Sequence, residues 1–367
     1  MAIKRILTVL LCLALGTSLS GCSRVAKKLL PDDHLNYNRA VNTSINRQLL
    51  INIVRAHFNE SALYVSIENV TSRHTYQDQM GYSLLVPFNK GGVASQLNTL
   101  TVNGNSLIKE EPSFIYTPQT NDKYAVELLQ PLRIKAIYLV IESESDIGDI
   151  LRLMLRRIGP YVNFEARPIV RDYQHNIASI KKFIRLTQII GKIYASNDYT
   201  IYLQSNRNID KEQLRIPIPS HMKLSPREWR LLASIGITHK SRAIILCAGN
   251  RSTANNVVHI QVRSLVNVND FLSFAVVPPQ NEHKRQLLNS DNGKTFRVFQ
   301  KLLTKYMMHI RVSRQDPGDA FVKVQRRGYW YYINEKDTSS KITFRLFRIF
   351  NDLTQAGSKG NNILISS

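Results

Sequence analysis

The sequence is short of cysteine and of acidic residues, and its N-terminal apolar run is too short to span a bilayer. It has three cysteines in 367 residues, and 27 Asp and Glu stand against 49 Lys and Arg, a formal net charge of +22. The apolar run at residues 6–15 falls short of the roughly 20 residues that a membrane-spanning helix needs. The small number of cysteines excludes a disulfide-rich scaffold. The positive net charge favours anionic neighbours.

Recognisable catalytic and metal-binding motifs are also missing. HExxH and GxSxG do not occur, and no two of the nine histidines stand at the three- or four-residue spacing that aims both at one metal. Gly293-Lys294-Thr295 resembles the end of a phosphate-binding loop, but the glycine required five residues earlier is Leu288, so we interpret the segment as a turn. We expect no enzyme activity, no metal and no cofactor.

Two alternatives to this expectation stay open. A Ser-His-Asp set can be assembled from distant segments, because such sites are defined by geometry and not by sequence spacing. Cys247 with His259 is a second possible pair.

The N-terminus has the features of an exported, lipid-anchored protein. Lys4 and Arg5 precede the apolar run, as in a secretory signal peptide. Leu19-Ser20-Gly21-Cys22 then resembles the bacterial lipobox, in which small residues precede an acylated cysteine. The resemblance implies cleavage between Gly21 and Cys22, a diacylglycerol thioether on Cys22 and an N-acyl chain on its amine. An ordinary signal peptide is the alternative.

The lipobox resemblance also implies a location. Two or three acyl chains make a durable anchor. Ser23 follows the cysteine, where an aspartate signals inner-membrane retention in enterobacteria, so the resemblance implies the outer membrane, facing the periplasm. An exported protein seldom meets nucleic acid, so we expect the positive charge to face anionic lipid, lipopolysaccharide or peptidoglycan. A solvated surface without a partner is equally compatible.

The composition predicts a folded α+β protein with four segments. Its 43% hydrophobic residues and 16 tyrosines argue against disorder. The segments are a signal peptide at 1–21, a tether at 22–36, an N-terminal α+β region at 37–216 and a C-terminal α+β region at 217–367. The last boundary follows the prolines of Ile216-Pro217-Ile218-Pro219, which favour an extended chain. A loop within one domain fits them equally.

Local patterns predict antiparallel sheets packed by amphipathic helices. Helices are predicted at residues 38–57, 123–129, 145–158 and 177–194. Strands or extended segments are predicted at 63–67, 82–88, 112–118 and 134–141, with a turn at 89–92. At Ser225-Pro226-Arg227-Glu228, the N-cap, first-turn proline and capping-box glutamate predict a short helix over 225–234.

Cys247 is expected to be structural. Cys12 leaves with the signal peptide and Cys22 is acylated, so Cys247 is the one free thiol of the mature chain. The surrounding sequence AIILCA is typical of a core strand.

The C-terminal region predicts a three-stranded antiparallel meander followed by a helix. Strands at 308–313, 321–325 and 329–333 are separated by turn sequences, and the helix begins at Ser340. Residues 363–365 can add a fourth strand. Of the aromatic run at residues 329–332, one face is expected in the core. If the other face is exposed, it would suit sugar rings and phosphates.

Basic residues of this region form a candidate surface for an anionic partner. Lys341, Arg345 and Arg348 share one helix face without an acid among them. Arg326 and Arg327 lie in a nearby turn. An ordinary solvated face is the alternative.

Three patches resemble an uncharacterised family of proteobacterial envelope lipoproteins. They are PSFIYTP at 112–118, LLQP at 128–131 and YWYYI at 329–333 with Asp337 and Ser340-Lys341. The resemblance would cover most of residues 38–365 and brings no known activity. We therefore expect a structural or accessory subunit of an envelope complex, such as a secretion complex, with envelope proteins as partners. A binding module for lipopolysaccharide or peptidoglycan is the alternative, and an envelope hydrolase comes third.

Overall fold

A computed structural model describes residues 22–83, 101–118, 122–143, 146–164, 173–198, 200–206, 211–249, 256–279 and 293–358. The predicted α+β class is confirmed, because these residues form nine helices, a six-stranded mixed sheet and a three-stranded antiparallel sheet, besides a two-stranded hairpin. Within these ranges no helix combines the length and the hydropathy needed to cross a bilayer. The predicted signal peptide at 1–21, the turn at 89–92 and the strand at 363–365 lie outside them.

The elements have the following bounds. The helices are α1 (Cys22–His57), α2 (Asp122–Leu129), α3 (Ile134–Ser143), α4 (Ile147–Met154), α5 (Tyr173–Ala195), α6 (Pro226–Ala233), α7 (Leu265–Ser273), α8 (Gly293–Tyr306) and α9 (Thr338–Ser358). The strands are β1 (Val65–Ser83), β2 (Thr101–Pro118), β3 (Leu155–Ile158), β4 (Tyr161–Val162), β5 (Tyr202–Asn206), β6 (Lys211–Pro217), β7 (Ala243–Ala248), β8 (Val257–Val262), β9 (Arg311–Ser313), β10 (Ala320–Arg326) and β11 (Tyr329–Asn334).

The chain forms two compact units. One comprises Met1–Val41 with Tyr64–Gln119, and the other comprises Asn42–Leu63 with Thr120–Ser367. The predicted boundary between 216 and 217 does not separate them, because strands on both sides of it pair within one sheet. The predicted tether at 22–36 is helical and forms the beginning of α1.

The first unit contains the long antiparallel hairpin of β1 and β2. Pairing runs from Val65 opposite Pro118 to Ser83 opposite Thr101, and one register shift lies between Ile67 and Asn69. Strands of 19 and 18 residues are several times longer than the usual five or six. The predicted extended segment at 112–118 is confirmed as the end of β2.

The second unit is built on the six-stranded sheet. Its order is β4-β3-β8-β7-β6-β5, and only the β7–β8 pair is parallel. Leu214, Leu246 and Val258 are aligned across three neighbouring strands and are buried. Because side chains alternate along a strand, they belong to one hydrophobic face of the sheet.

The C-terminal sheet has the order β10-β11-β9, and both pairings are antiparallel. Strand β9 therefore adjoins β11 and not β10, so the order differs from a simple meander. Arg327 and Gly328 turn the chain between β10 and β11 with φ of 49° and 78°, as a two-residue hairpin turn requires. Helix α9 follows and buries Phe344, Phe347 and Phe350.

Two predicted elements differ from the structure. Residues 134–141 form most of helix α3 and not a strand, with Ile134, Ile137, Val140 and Ile141 buried at helical spacing. Short apolar runs do not distinguish the two structures by periodicity. The helix predicted at 145–158 is α4, which ends at Met154, and its last predicted residues form β3.

Arg263 accounts for the early end of α4. This arginine is buried, and its Nη1 donates to the carbonyl oxygens of Arg152, Leu153 and Leu155 at 3.2, 3.1 and 2.9 Å. Helix C-termini leave carbonyl groups unpaired and favour cations. A residue 108 positions away in sequence from Leu155 thus satisfies the end of the helix, which local sequence does not reveal.

Candidate anionic-partner surface

The predicted lipidation site lies at the edge of the described chain. Cys22 is the first residue of α1, and Gly21 is outside the described residues. Acylation of Cys22 and cleavage after Gly21 therefore stay predictions.

Arg326 is buried by internal contacts and does not form part of an exposed surface. Its Nη2 donates to Oε1 of Glu60 at 2.5 Å, its Nε donates to Oε2 at 3.3 Å, and its guanidinium lies 3.7 Å from the ring centroid of Phe58. This is a two-point arginine–carboxylate pair with a cation–π contact. The hydrogen bond from Arg326 is the main cause that lowers the pKa of Glu60. Arg327 is exposed, with Nη2 3.3 Å from the same Glu60 oxygen.

Two members of the row of Lys341, Arg345 and Arg348 contact acidic residues within the fold, and the row stays a predicted partner surface. Lys341 Nζ contacts the carboxylate of Glu335. Arg348 donates from Nη1 to Asn46 Oδ1 at 3.0 Å, and its Nε lies 3.8 Å from Asp352 Oδ2. Arg345 is exposed. Asp352 is visible in the helix pattern, four residues after Arg348, whereas Glu335 precedes the helix and is not.

The aromatic run of β11 divides as the alternation predicts. Tyr331 and Ile333 are fully buried, which confirms that one face is core. Trp330, on the other face, is half-buried, with Lys323 Nζ 5.3 Å from its ring centroid. That lysine also contacts Asp316, so this site too is internally paired.

The predicted core strand around Cys247 is confirmed as β7. Cys247 is 2% exposed, and its register partner on β8 is His259. The sheet therefore places the two residues of the alternative pair side by side. A thiol with that exposure is not presented to a substrate, which favours the structural interpretation. Gly293-Lys294-Thr295 forms the first turn of α8 and not an isolated turn.

A broader basic surface lies on α5 and α6, and the sequence did not single it out as a site. Six exposed side chains define what we term the α5–α6 basic face: Lys181, Lys182, Arg185, Lys192, Arg227 and Arg230.

The pattern of α5 explains why three of its four Lys and Arg residues share one side. Phe183, Leu186, Ile190 and Ile193 are buried at helical spacing. Lys181, Arg185 and Lys192 stand at i, i+4 and i+11, which places them on the opposite side. The helix predicted at 177–194 is thus confirmed, and its Lys and Arg residues have no Asp or Glu among them.

Glu228 joins the two helices. It is the capping-box residue of α6, with Ser225 as N-cap, as predicted. Its Oε1 also accepts from Lys192 Nζ at 2.6 Å and from Arg185 Nη2 at 3.1 Å. The hydrogen bond from Lys192, followed by those from Ser225, lowers the pKa of Glu228 to about 2. One carboxylate therefore begins α6 and holds it against α5.

One aromatic side chain lies against these cations. Tyr161 donates to Ser234 Oγ at 2.6 Å, and Lys182 Nζ lies 5.5 Å from its ring centroid. Tyr161 thereby links the end of α6 to α5. Trp229 is half-buried on α6 and packs on His239 with ring centroids 4.1 Å apart. The face thus combines positive charge with the partly exposed ring of Tyr161.

The charge of the surrounding sequence is unusually one-sided. Helix α5 contains no Asp or Glu, and α6 contains Glu228 alone. Residues 173–269 contain fourteen Lys and Arg against four Asp and Glu. A count of acids along this stretch would have indicated the face from sequence, whereas the overall net charge did not locate it.

Comparison with known proteins gives no relative. No protein-family model matches the chain, and no similar protein was found among curated proteins or solved structures. Within the described ranges, no three His, Cys, Asp or Glu side chains gather as they would to hold a metal ion.

Proposed function

We propose that the chain is an envelope lipoprotein, anchored by acyl chains on Cys22 and facing the periplasm from the outer membrane. The observation that carries the proposal is the order of the N-terminal features: a basic start, a short apolar run, Leu19-Ser20-Gly21-Cys22 and then Ser23. Each buried acyl methylene contributes about 0.8 kcal/mol, so two or three chains hold a protein durably.

The folded part serves as a non-catalytic structural or accessory subunit of an envelope complex. The formal net charge of +22 supports this role, because an excess of one sign of charge favours association with an oppositely charged partner. The sequence resemblance to envelope lipoproteins agrees with it.

Acylation is tested with a clickable fatty acid in growing cells. Wild type should incorporate the label and fractionate with the outer membrane, and Cys22→Ser should lose both. Cys247→Ala is the matched control and should keep both, since its thiol is buried. Wild-type protein without label would contradict the anchor.

The subunit role is tested by detergent extraction and affinity purification of the labelled protein. Envelope proteins should co-purify in fixed proportion. Recovery of the chain alone, or with an anionic polymer in place of proteins, would contradict the role.

A further inference from the structure

We propose that the α5–α6 basic face docks on the anionic phospholipid surface of a bilayer. The proposal deepens the proposed function and rests on it in one respect, because the proposed anchor attaches the chain to a membrane. It names the partner by its chemistry: headgroups with a net negative charge.

The first support is the charge. The face contains six cations and one carboxylate, Glu228, which the pairs with Arg185 and Lys192 already occupy. Lys181, Lys182, Arg227 and Arg230 are exposed beyond these pairs. Cations close to an anionic leaflet are attracted to it, and the attraction extends over about a Debye length.

The second support is the spread of that charge. Lys181 and Lys192 are separated by eleven residues of α5, or about 16 Å along the helix axis. Arg227 and Arg230 extend the charge to a second helix. Cations distributed over such a distance suit a continuous charged surface better than a single phosphate or carboxylate group.

The third support is the aromatic ring of Tyr161. Tyr161 is partly exposed with Lys182 Nζ 5.5 Å from its ring centroid, and it combines an apolar ring with a polar hydroxyl group. Such side chains are enriched at membrane–water interfaces. An acidic protein would be attracted by the same charge and the same ring, and what favours the bilayer is the proposed anchor, which attaches the chain permanently to an anionic surface.

Tethering makes weak docking sufficient. A module linked to its target binds it in an intramolecular step, so a face with weak affinity for headgroups gains occupancy without any new contact. Docking would orient the folded domain, while the acyl chains supply retention.

The experiment uses the full chain carrying Cys22→Ser, so that acylation does not contribute. Co-sedimentation is measured with vesicles of phosphatidylcholine alone and with vesicles containing phosphatidylglycerol. We expect binding to the anionic vesicles that falls steeply as salt rises to about 0.5 M, where screening shortens the Debye length. The neutral vesicles measure any binding by the apolar N-terminal run.

Two triple variants with the same charge change locate the docking face. Lys181→Gln, Lys182→Gln and Arg227→Gln together should weaken binding to anionic vesicles by about 100-fold, at about fivefold for each charge. The control is Arg297→Gln, Lys301→Gln and Lys305→Gln on the exposed side of α8, which should change binding less than about threefold. Both variants should stay folded because all six positions are exposed, and circular dichroism checks this.

Three results would overturn the proposal: equal binding to both kinds of vesicle, equal loss in the two triple variants, or binding to soluble heparin but not to anionic vesicles. The last result would assign the face to a polymer or an acidic protein. These outcomes are independent of fatty-acid labelling at Cys22, so the anchor and the docking face succeed or fail separately.

Discussion

Glu228→Gln is expected to destabilise the packing of α6 on α5 by about 1–2 kcal/mol. Gln keeps the size of the side chain and can still accept from Ser225, but it removes the negative charge that binds Lys192 at 2.6 Å and Arg185 at 3.1 Å. Two cations would then remain beside a neutral amide.

The magnitude follows from the pKa of Glu228. Its fall from 4.5 to about 2 corresponds to at most about 3 kcal/mol at 1.36 kcal/mol per unit. The two cations are about half exposed, at 51% and 52%, so water screens the interaction and the expected loss is smaller.

The same pKa fixes the dependence on pH. The lowered pKa means that the ionised carboxylate stabilises the folded state, and this contribution is complete above the unfolded value of 4.5. It is lost as the pH falls from there towards the folded value of about 2. Wild type and Glu228→Gln should therefore differ most near neutral pH and converge in acid.

The assay is urea unfolding followed by fluorescence of Trp229, in a Trp330→Phe background that removes the only other tryptophan. Trp229 adjoins Glu228 in α6, so the signal reports this region. Ser225→Ala is the control: loss of an N-cap costs about 1 kcal/mol, but the Glu228 carboxylate remains, so the stability of this variant should still fall in acid. A difference between wild type and Glu228→Gln that stays constant from pH 6 to about pH 2.5 would refute the ionic account.

Two further substitutions test pairing and packing elsewhere in the second unit. Lys341→Glu places a second carboxylate beside Glu335 and should lower the free energy of unfolding by about 0.5–1 kcal/mol. The control, Arg297→Glu at an exposed site, should change the free energy of unfolding little. Equal effects of the two substitutions in thermal melts would argue against the Lys341–Glu335 pair. Cys247→Ala removes a buried sulfur atom from β7 and should cost about 1 kcal/mol while membrane association persists; loss of association at normal protein abundance would give the thiol a functional role.

Elements specified by neighbouring residues could be predicted from sequence. Helix α6 begins at its predicted N-cap because Ser225, Pro226 and Glu228 satisfy one another within a single turn. Strand β7 follows from an uninterrupted apolar sequence, and the buried side of α5 from its regular spacing. In each case the decisive interactions lie within a few residues along the chain.

Elements specified by distant contacts could not be predicted in this way. Residues 134–141 are apolar enough to form a strand or a helix. They form helix α3, which buries one side against the rest of the fold. Helix α4 ends four residues early because Arg263 binds its terminal carbonyl groups from another part of the chain. The prolines near 217 end a strand of the sheet and do not mark a domain boundary.

Distant contacts also decide which basic residues are available to a partner. Arg326 and Lys341 looked available from sequence, yet Glu60 and Glu335, at other positions of the fold, already bind them. On α5 and α6 the sequence offers one acid, and Glu228 is shared by two cations there. Basic residues therefore indicate a partner surface only where acids of the same chain do not already bind them. By this criterion the candidate surface is the α5–α6 basic face and not α9.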